Sequence, residues 1–254
     1  MLSILVICYN HEKYIKEALE SVLDQKFSDS IEIIVIDDYS TDNSLEIIRN
    51  CLSYTNNAIV IANDKNYGLV KNYQKAFAAC NGDLIFVLEG DDFWTSPNKL
   101  SLISDIMNTD VSASMCFHDY QLLDQHNLIY DRTVYSDLAD RQCISTVDLI
   151  RDSSLIGNFS VCCYRKKYIQ QIPDSFWENN TNDWGLNMLM GTFGPIRYFN
   201  QEMSLYRLHN ESLWTGASIK KKYEYILDII PYYKILLGDE FLYDFSELTR
   251  KMKN

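Results

Sequence analysis

Positive charge is scarce in this chain. Its 254 residues carry 23 Lys and Arg against 35 Asp and Glu, a formal net charge of −12, and the pI is about 4.7. Such a surface repels a polyanion, which excludes a general nucleic-acid binder. Any anionic ligand needs a local positive site, made from a few Lys, Arg or His or from a metal. C-x-x-C pairs are absent: the seven cysteines are scattered, and the one adjacent pair, Cys162 and Cys163, is a poor candidate for a bridge. This points to reduced thiols and a cytoplasmic setting. No apolar run approaches the ~20 residues of a membrane span. The opening MLSILVICYN is too short for a signal peptide and lacks its basic flank. Internal repeats and low-complexity linkers are missing. So are the G-x-G-x-x-G of nicotinamide dehydrogenases and the G-x-x-x-x-G-K of P-loop enzymes.

What is present is apolar pattern. The chain is 47% hydrophobic and 13% aromatic, enough for one large α/β domain or one domain with an appendage. Apolar strand runs (SILVIC, IEIIVID, AIVIA, DLIFVLE) alternate with helical stripes such as Ile15, Ala18, Leu19 and Val22, or Tyr73, Ala76, Phe77 and Cys80. Asn43 and Glu46 suggest a capping box. Asn81-Gly82 suggests a helix C-cap rather than a hairpin turn. Ser96-Pro97 suggests the N-cap and first turn of another helix. Strands that are apolar throughout, alternating with helices, predict a mostly parallel sheet covered on both faces. The second half is less regular. A hairpin is expected within residues 121–140, with short strands at IRYFN and MSLYRLHN. A helical tail from Ser218 is expected to break near Pro231 and Gly238.

Ligands of such sheets bind beyond the carboxyl ends of the strands. Polar residues gather there: Tyr9-Asn10, Asp37-Asp38, Asn63 and the run Glu89-Gly90-Asp91-Asp92. Three carboxylates within four positions repel one another and are costly to desolvate. A divalent cation holding phosphate oxygens is the natural partner for them.

The segments ICYNHEKYIKEALESVLDQ, EIIVIDDYSTDNS, NYGLVKNYQKAFAACNGDLIFVLEGDDFW, NDWGLNMLM and YRLH follow in that order. Together they resemble the family 2 glycosyltransferases of the GT-A fold that build bacterial surface polysaccharides. The likeness is dense over residues 1–120 and thinner over 175–215. It implies a Rossmann-like, mostly parallel sheet flanked by helices over residues 1–217, with a nucleotide-binding half (1–120), an acceptor-binding half (121–217) and a C-terminal helical appendage (218–254). By position, Ile7, Tyr9 and Asp38 would hold the nucleotide base; the family often carries proline at the place of Ile7. Asn10, Asn66, Lys71 and Arg207 would join the nucleotide site. The D-x-D site falls on Gly90-Asp91-Asp92, with Asp91 toward the ribose and Asp92 on the metal. Asp91 and His209 would complete the site for Mn²⁺ or Mg²⁺. Asp183, an acid before an aromatic at a helix start, would be the catalytic base.

The resemblance implies an inverting transfer of one sugar, with a UDP-sugar as donor and a glycan or lipid-linked oligosaccharide as acceptor. The Gln-x-x-Arg-Trp signature of processive synthases is absent. Contact with the inner face of the cell membrane and self-association through the tail follow by analogy only.

Plainer readings stand beside these. Asp91-Asp92 fits a solvated turn, Asp37-Asp38 an approach to a helix N-terminus, and Asp183 an N-cap. Tyr9 and His209 fit ordinary strand-end residues. Lys71 and Lys220–Lys222 fit solvated helix faces. A phosphoacceptor receiver also has an Asp pair after a strand, and a non-catalytic nucleotide- or metal-binding module would bind without turnover. A haloacid-dehalogenase-type phosphatase wants D-x-D-x-T, where DDYST has Tyr39.

Overall fold

The computed structural model describes residues 1–131, 143–179, 181–209 and 217–253. Strands β1 (Leu2–Cys8), β2 (Ile31–Asp37), β3 (Ala58–Ala62) and β4 (Leu84–Glu89) alternate with helices α1 (Ile15–Leu23), α2 (Ser44–Cys51) and α3 (Leu69–Ala79), following the apolar pattern. β1 lies between β2 and β4 and runs parallel to both, and β3 extends this parallel set. Successive side chains of a strand point to opposite faces. Ile4, Val6 and Cys8 therefore pack with the apolar stripes of α1 and α2. Leu5 and Ile7 pack on the other side, with Tyr73, Ala76 and Phe77 of α3.

The chain continues through β5 (Phe93–Trp94), α4 (Lys99–Thr109), β6 (Met115–Leu123), β7 (Ile129–Asp131), β8 (Cys143–Ile144) and α5 (Thr146–Arg151). A 3₁₀ turn (Phe159–Val161) leads into β9 (Cys162–Arg165). Short helices α6 (Lys166–Ile169) and α7 (Asp174–Glu178) precede α8 (Asp183–Phe193), β10 (Ile196–Arg207), α9 (Ile219–Leu237) and α10 (Leu242–Lys253). The described strands form one sheet in the order β3-β2-β1-β4-β9-β6-β10-β5, with β7 on β6 and β8 on β10. β6 and β10 run parallel to each other, while β9 lies antiparallel between β4 and β6. The β6–β7 hairpin is the one expected within 121–140; residues 132–142 lie outside the described residues.

Several local expectations are corrected. IRYFN and MSLYRLHN belong to one strand, β10, kinked by register shifts between Phe199 and Glu202 and between Glu202 and Leu205. Pro231 does not end the tail helix: α9 runs through it to Gly238, whose φ of 93° stops the helix. Proline removes one helix hydrogen bond, and burial of Ile226, Ile229, Ile230 and Tyr233 outweighs that loss. These residues, with Phe245 and Leu248 of α10, join the same core as α3 and α8. Asn81-Gly82 is no left-handed cap, because Cys80 is already extended (ψ 133°). A side chain at Gly82 would come within 2.5 Å of the Ser3 amide, so glycine is needed there for close approach to β1. Asn43 makes no side-chain cap; Asp42 instead accepts the Ser44 and Glu12 amides at 2.9 and 3.0 Å. Helix α4 starts at Lys99, two residues after Pro97, with no side-chain cap.

Candidate active site

The carboxyl ends of β1, β2 and β4 and the end of β10 meet at one rim. Gly90 makes the tight passage there: a side chain at this position would meet His11, the Ile7 carbonyl and Ile15 at about 3 Å. The three crowded acids after β4 have separate surroundings. Asp92 is 1% exposed. Its Oδ2 accepts from Ser160 Oγ at 2.5 Å and its Oδ1 from the Arg207 amide at 2.9 Å. Burial and the neighbouring Asp91 charge push its carboxyl well above the usual range, against those two hydrogen bonds. Asp91 Oδ2 lies 2.9 Å from His209 Nε2 and 3.8 Å from His11 Nε2. Burial works to raise the Asp91 carboxyl, but the two imidazoles outweigh it and hold it below its ordinary value. Glu89 is half-buried and pushed well up by burial, then by Asp91, Asp92 and Asp183. Tyr73 Oη lies 3.4 Å from its Oε1. The cluster therefore survives by holding Asp91 ionised against two histidines while Glu89 and Asp92 favour their protonated forms.

Arg207 is a strut rather than an open cation. Its Nε donates to the Asp91 carbonyl at 2.9 Å, and its terminal nitrogen bonds Glu17 at 2.6 Å. The guanidinium lies over the Tyr14 and Phe93 rings. It fixes the strand end that carries His209.

The β1 and β2 ends are built differently. Asp38 is buried; it accepts the Asn63 side-chain amide and the Tyr67 and Gly68 backbone amides, all at 2.8–2.9 Å. Asp37 accepts the Ser40 amide at 3.1 Å. Asn10 (φ 56°) and Tyr39 (φ 63°) both adopt the left-handed region. The Asn10 side-chain oxygen accepts the Thr41 amide at 2.8 Å, and the Ser40 hydroxyl accepts the Asn10 amide at 2.9 Å, so Asn10 laces the two loops together. The Ile7 side chain lies in the core, and its carbonyl accepts the Gly90 amide. Tyr9 is exposed beside it. Asn66 and Lys71 are exposed, and Lys71 reaches Gln74 at 3.1 Å.

Asp183 begins α8 but does not cap it. Asn182 does, accepting the Gly185 amide at 3.0 Å. Asp183 accepts only the adjacent Trp184 amide among its hydrogen bonds with the described residues, and burial raises its carboxyl to about 6. Its charge is among those that push Glu89 up. The sequence reading missed His11 and Ser160. His11 sat inside a quoted motif without a role, and nothing in the local pattern marks Ser160.

Known proteins place this geometry. A profile for "Glycosyl transferase family 2" matches residues 3–172. Uncharacterized proteins of Mycobacterium tuberculosis and Mycobacterium bovis are 29% identical over 217 residues, 85% of this chain. The chain spans 61% of the length of those relatives. An uncharacterized glycosyltransferase of Nostoc is 33% identical over 221 residues, covering 85% of this chain and 67% of its own length. S. aureus TarS in complex with UDP superposes with a TM-score of 0.71 at 19% identity, over 100% of this chain and 70% of that one. The mannosyltransferase PcManGT from Pyrobaculum calidifontis, in complex with GDP-Man and Mn²⁺, gives 0.68 at 11%, over 98% and 68%. These likenesses establish the expected GT-A fold.

Proposed function

Since the chain belongs to glycosyl transferase family 2, we propose that it moves one sugar from a nucleotide-sugar to an acceptor hydroxyl, with inversion at the anomeric carbon. The donor we assign is a UDP-sugar, in keeping with the UDP complex of TarS. The acceptor is a glycan or lipid-linked oligosaccharide of surface polysaccharide synthesis. The observation that carries the reading is the pairing of two features across the acid cluster. Asp183 is a half-buried carboxyl relieved of capping, raised to about 6. The Asp91–His209 pair joins the turn after β4 to the segment after β10, with the two side chains 2.9 Å apart.

Among the described residues, no three His, Cys, Asp or Glu stand together as a ready metal site. The Asp91 carboxylate and the His209 imidazole, 2.9 Å apart with His11 close by, nevertheless make a two-ligand set suited to Mn²⁺, with diphosphate oxygens to complete the shell. This moves the metal role from Asp92, whose oxygens both face protein donors, to Asp91. Asp91 and His209 would hold Mn²⁺ or Mg²⁺, which neutralises the departing diphosphate when bound. PcManGT, a protein of the same fold, was solved with Mn²⁺.

Asp183 takes the proton of the acceptor hydroxyl as that oxygen attacks the anomeric carbon. The carbon–oxygen bond to the diphosphate breaks, and its electron pair leaves with the nucleotide. One displacement inverts the centre. Tyr9 and Asp38 would flank the base. A carboxylate offers about four acceptor sites, and Asp38 has three engaged, leaving one toward a uracil N–H. In this reading Asn10, Asn66, Lys71 and Arg207 shape the nucleotide side, Asn10 and Arg207 chiefly by holding the loops in place.

Contact with a membrane surface and self-association through α9 and α10 are part of the proposal. Among the described residues no helix is long and apolar enough to cross a membrane. The test is transfer from a panel of nucleotide-sugars with and without Mn²⁺, with the anomeric coupling constant of the product read by NMR. Metal-dependent release of UDP with an inverted linkage is expected. UDP binding with no turnover on any acceptor would favour a non-catalytic binding module.

A further inference from the structure

One buried network at the rim has no part in the chemistry above. Ser160 is 1% exposed and sits in the 3₁₀ turn before β9. Its hydroxyl donates to Asp92 Oδ2 at 2.5 Å and accepts the Glu89 amide at 3.0 Å. That hydroxyl therefore ties both ends of the acid turn to one point. Its carbonyl collects three donors: Lys99 Nζ at 2.7 Å, Trp94 Nε1 at 3.2 Å and Ser204 Oγ at 3.4 Å. Lys99 is itself 1% exposed, reaches Ser204 Oγ at 3.4 Å and lies 4.2 Å from the Trp94 ring centroid. Four elements meet here: the turn after β4, the β5 strand, α4 and β10. Asp92 then carries the connection onward, since its Oδ1 accepts the Arg207 amide two residues before His209.

We propose that Ser160, anchored by Lys99, is a positioning residue that locks the acid turn to the end of β10, so that Asp91 and His209 meet as a preformed metal-binding pair. A buried lysine is costly to desolvate, and an apolar residue of similar length would fill the same space. A merely packed core has no need of an amine donor aimed at one carbonyl. The arrangement does what outer partners of metal sites do: it orients the ligands without touching the ion.

This inference rests on the metal reading of Asp91 and His209, and the experiment separates the two. Mn²⁺ affinity is measured in the presence of UDP, from the free-ion paramagnetic resonance signal, at a temperature well below each variant's melting point. The proteins are wild type, Ser160→Ala and Lys99→Met, with UDP affinity in the absence of metal measured alongside. Ser160→Ala should weaken Mn²⁺ binding by roughly 10–100-fold, the usual effect of losing such a partner, while metal-free UDP affinity stays unchanged. Lys99→Met should act in the same direction and keeps the claim testable if Ser160→Ala does not fold. Mn²⁺ bound by the wild type and equally tightly by the folded variants overturns this inference alone. A wild type that binds no Mn²⁺ beside UDP overturns the metal reading and the inference with it.

Discussion

Asp37-Asp38 and Asp91-Asp92 look alike in the sequence. Each pair follows an apolar strand run; the first leads on to α2 and the second into β5. Their surroundings differ. Asp38 has three donors, two of them backbone amides of the loop after β3, and Asp37 accepts another backbone amide. That pair is largely loop architecture. The second pair divides: Asp92 is held by Ser160 and the Arg207 amide, while Asp91 faces two imidazoles. The lesson concerns partners rather than charge. Amide donors satisfy a carboxylate and bury it in structure. Imidazoles leave it in the company of groups that can share a cation.

The sharpest break in the comparison comes from a third acid, Asp183, which among the described residues accepts one amide, that of the adjacent Trp184, and meets no imidazole. Asp183→Asn should cut single-turnover transfer by about 10²–10⁴-fold, the usual loss for a positioned base, with UDP affinity unchanged. Near-wild-type turnover would remove Asp183 from the mechanism. The cap at Asn182 stays in place, so the helix should not suffer.

Next in size is the contrast between Asp38 and Asp91 in stability. Asp38→Ala strands two backbone amides and the Asn63 amide, at about 3 kcal/mol by the cost of unsatisfied buried donors. Asp91→Ala removes one charge from a crowded cluster and should change stability by less than about 1 kcal/mol. Urea unfolding of the two variants checks the order, and a reversed order would place the structural acid in the wrong pair.

A subtler mark is the pH dependence of Asp183. Its folded carboxyl titrates near 6 because of burial, above its ordinary value of 3.8. Between about pH 4 and 6 the folded state therefore holds a proton that the unfolded state has released. The stability this contributes is complete below pH 4 and is lost as pH rises through 6. Activity should rise over the upper part of that window, because only the ionised base accepts a proton. Urea unfolding at pH 5 and 7.5 should show the Asn variant at least as stable as wild type at pH 7.5, with a flatter profile. A variant less stable than wild type at pH 7.5 would contradict this account of its environment. The smallest effect is at the tail: Tyr233→Phe removes the 3.0 Å bond to Asn182 and should cost about 1 kcal/mol. A larger loss of turnover than of stability there would tie α9 to the placement of Asp183.

Much of this was legible in the sequence, for local reasons. Four apolar runs and the stripes of α1 and α3 announced the parallel sheet, because strand and helix periods are short-range patterns. The acids after β4 and the Asp before Trp184 were visible as charge against that background. The division of labour within the acid pairs was not, because it depends on distant partners. Ser160 lies 68 residues from Asp92, and Arg207 lies 115 from it. Neither separation leaves a mark in a window of ten residues. The tail misled for a related reason: Pro231 is a helix breaker in isolation, but tertiary burial of its neighbours decided the matter.

The central claim is that Asp91, and not its neighbour or the earlier pair, is the acid that holds the metal. Titration calorimetry of UDP into Asp91→Asn, Asp92→Asn and wild type, each with and without Mn²⁺, tests it directly. The account predicts that Asp91→Asn loses the Mn²⁺-dependent gain in UDP affinity at an unchanged melting temperature, while Asp92→Asn, which can still accept the Arg207 amide, keeps most of it. A full Mn²⁺-dependent gain in Asp91→Asn, or its loss in Asp92→Asn alone, would contradict it.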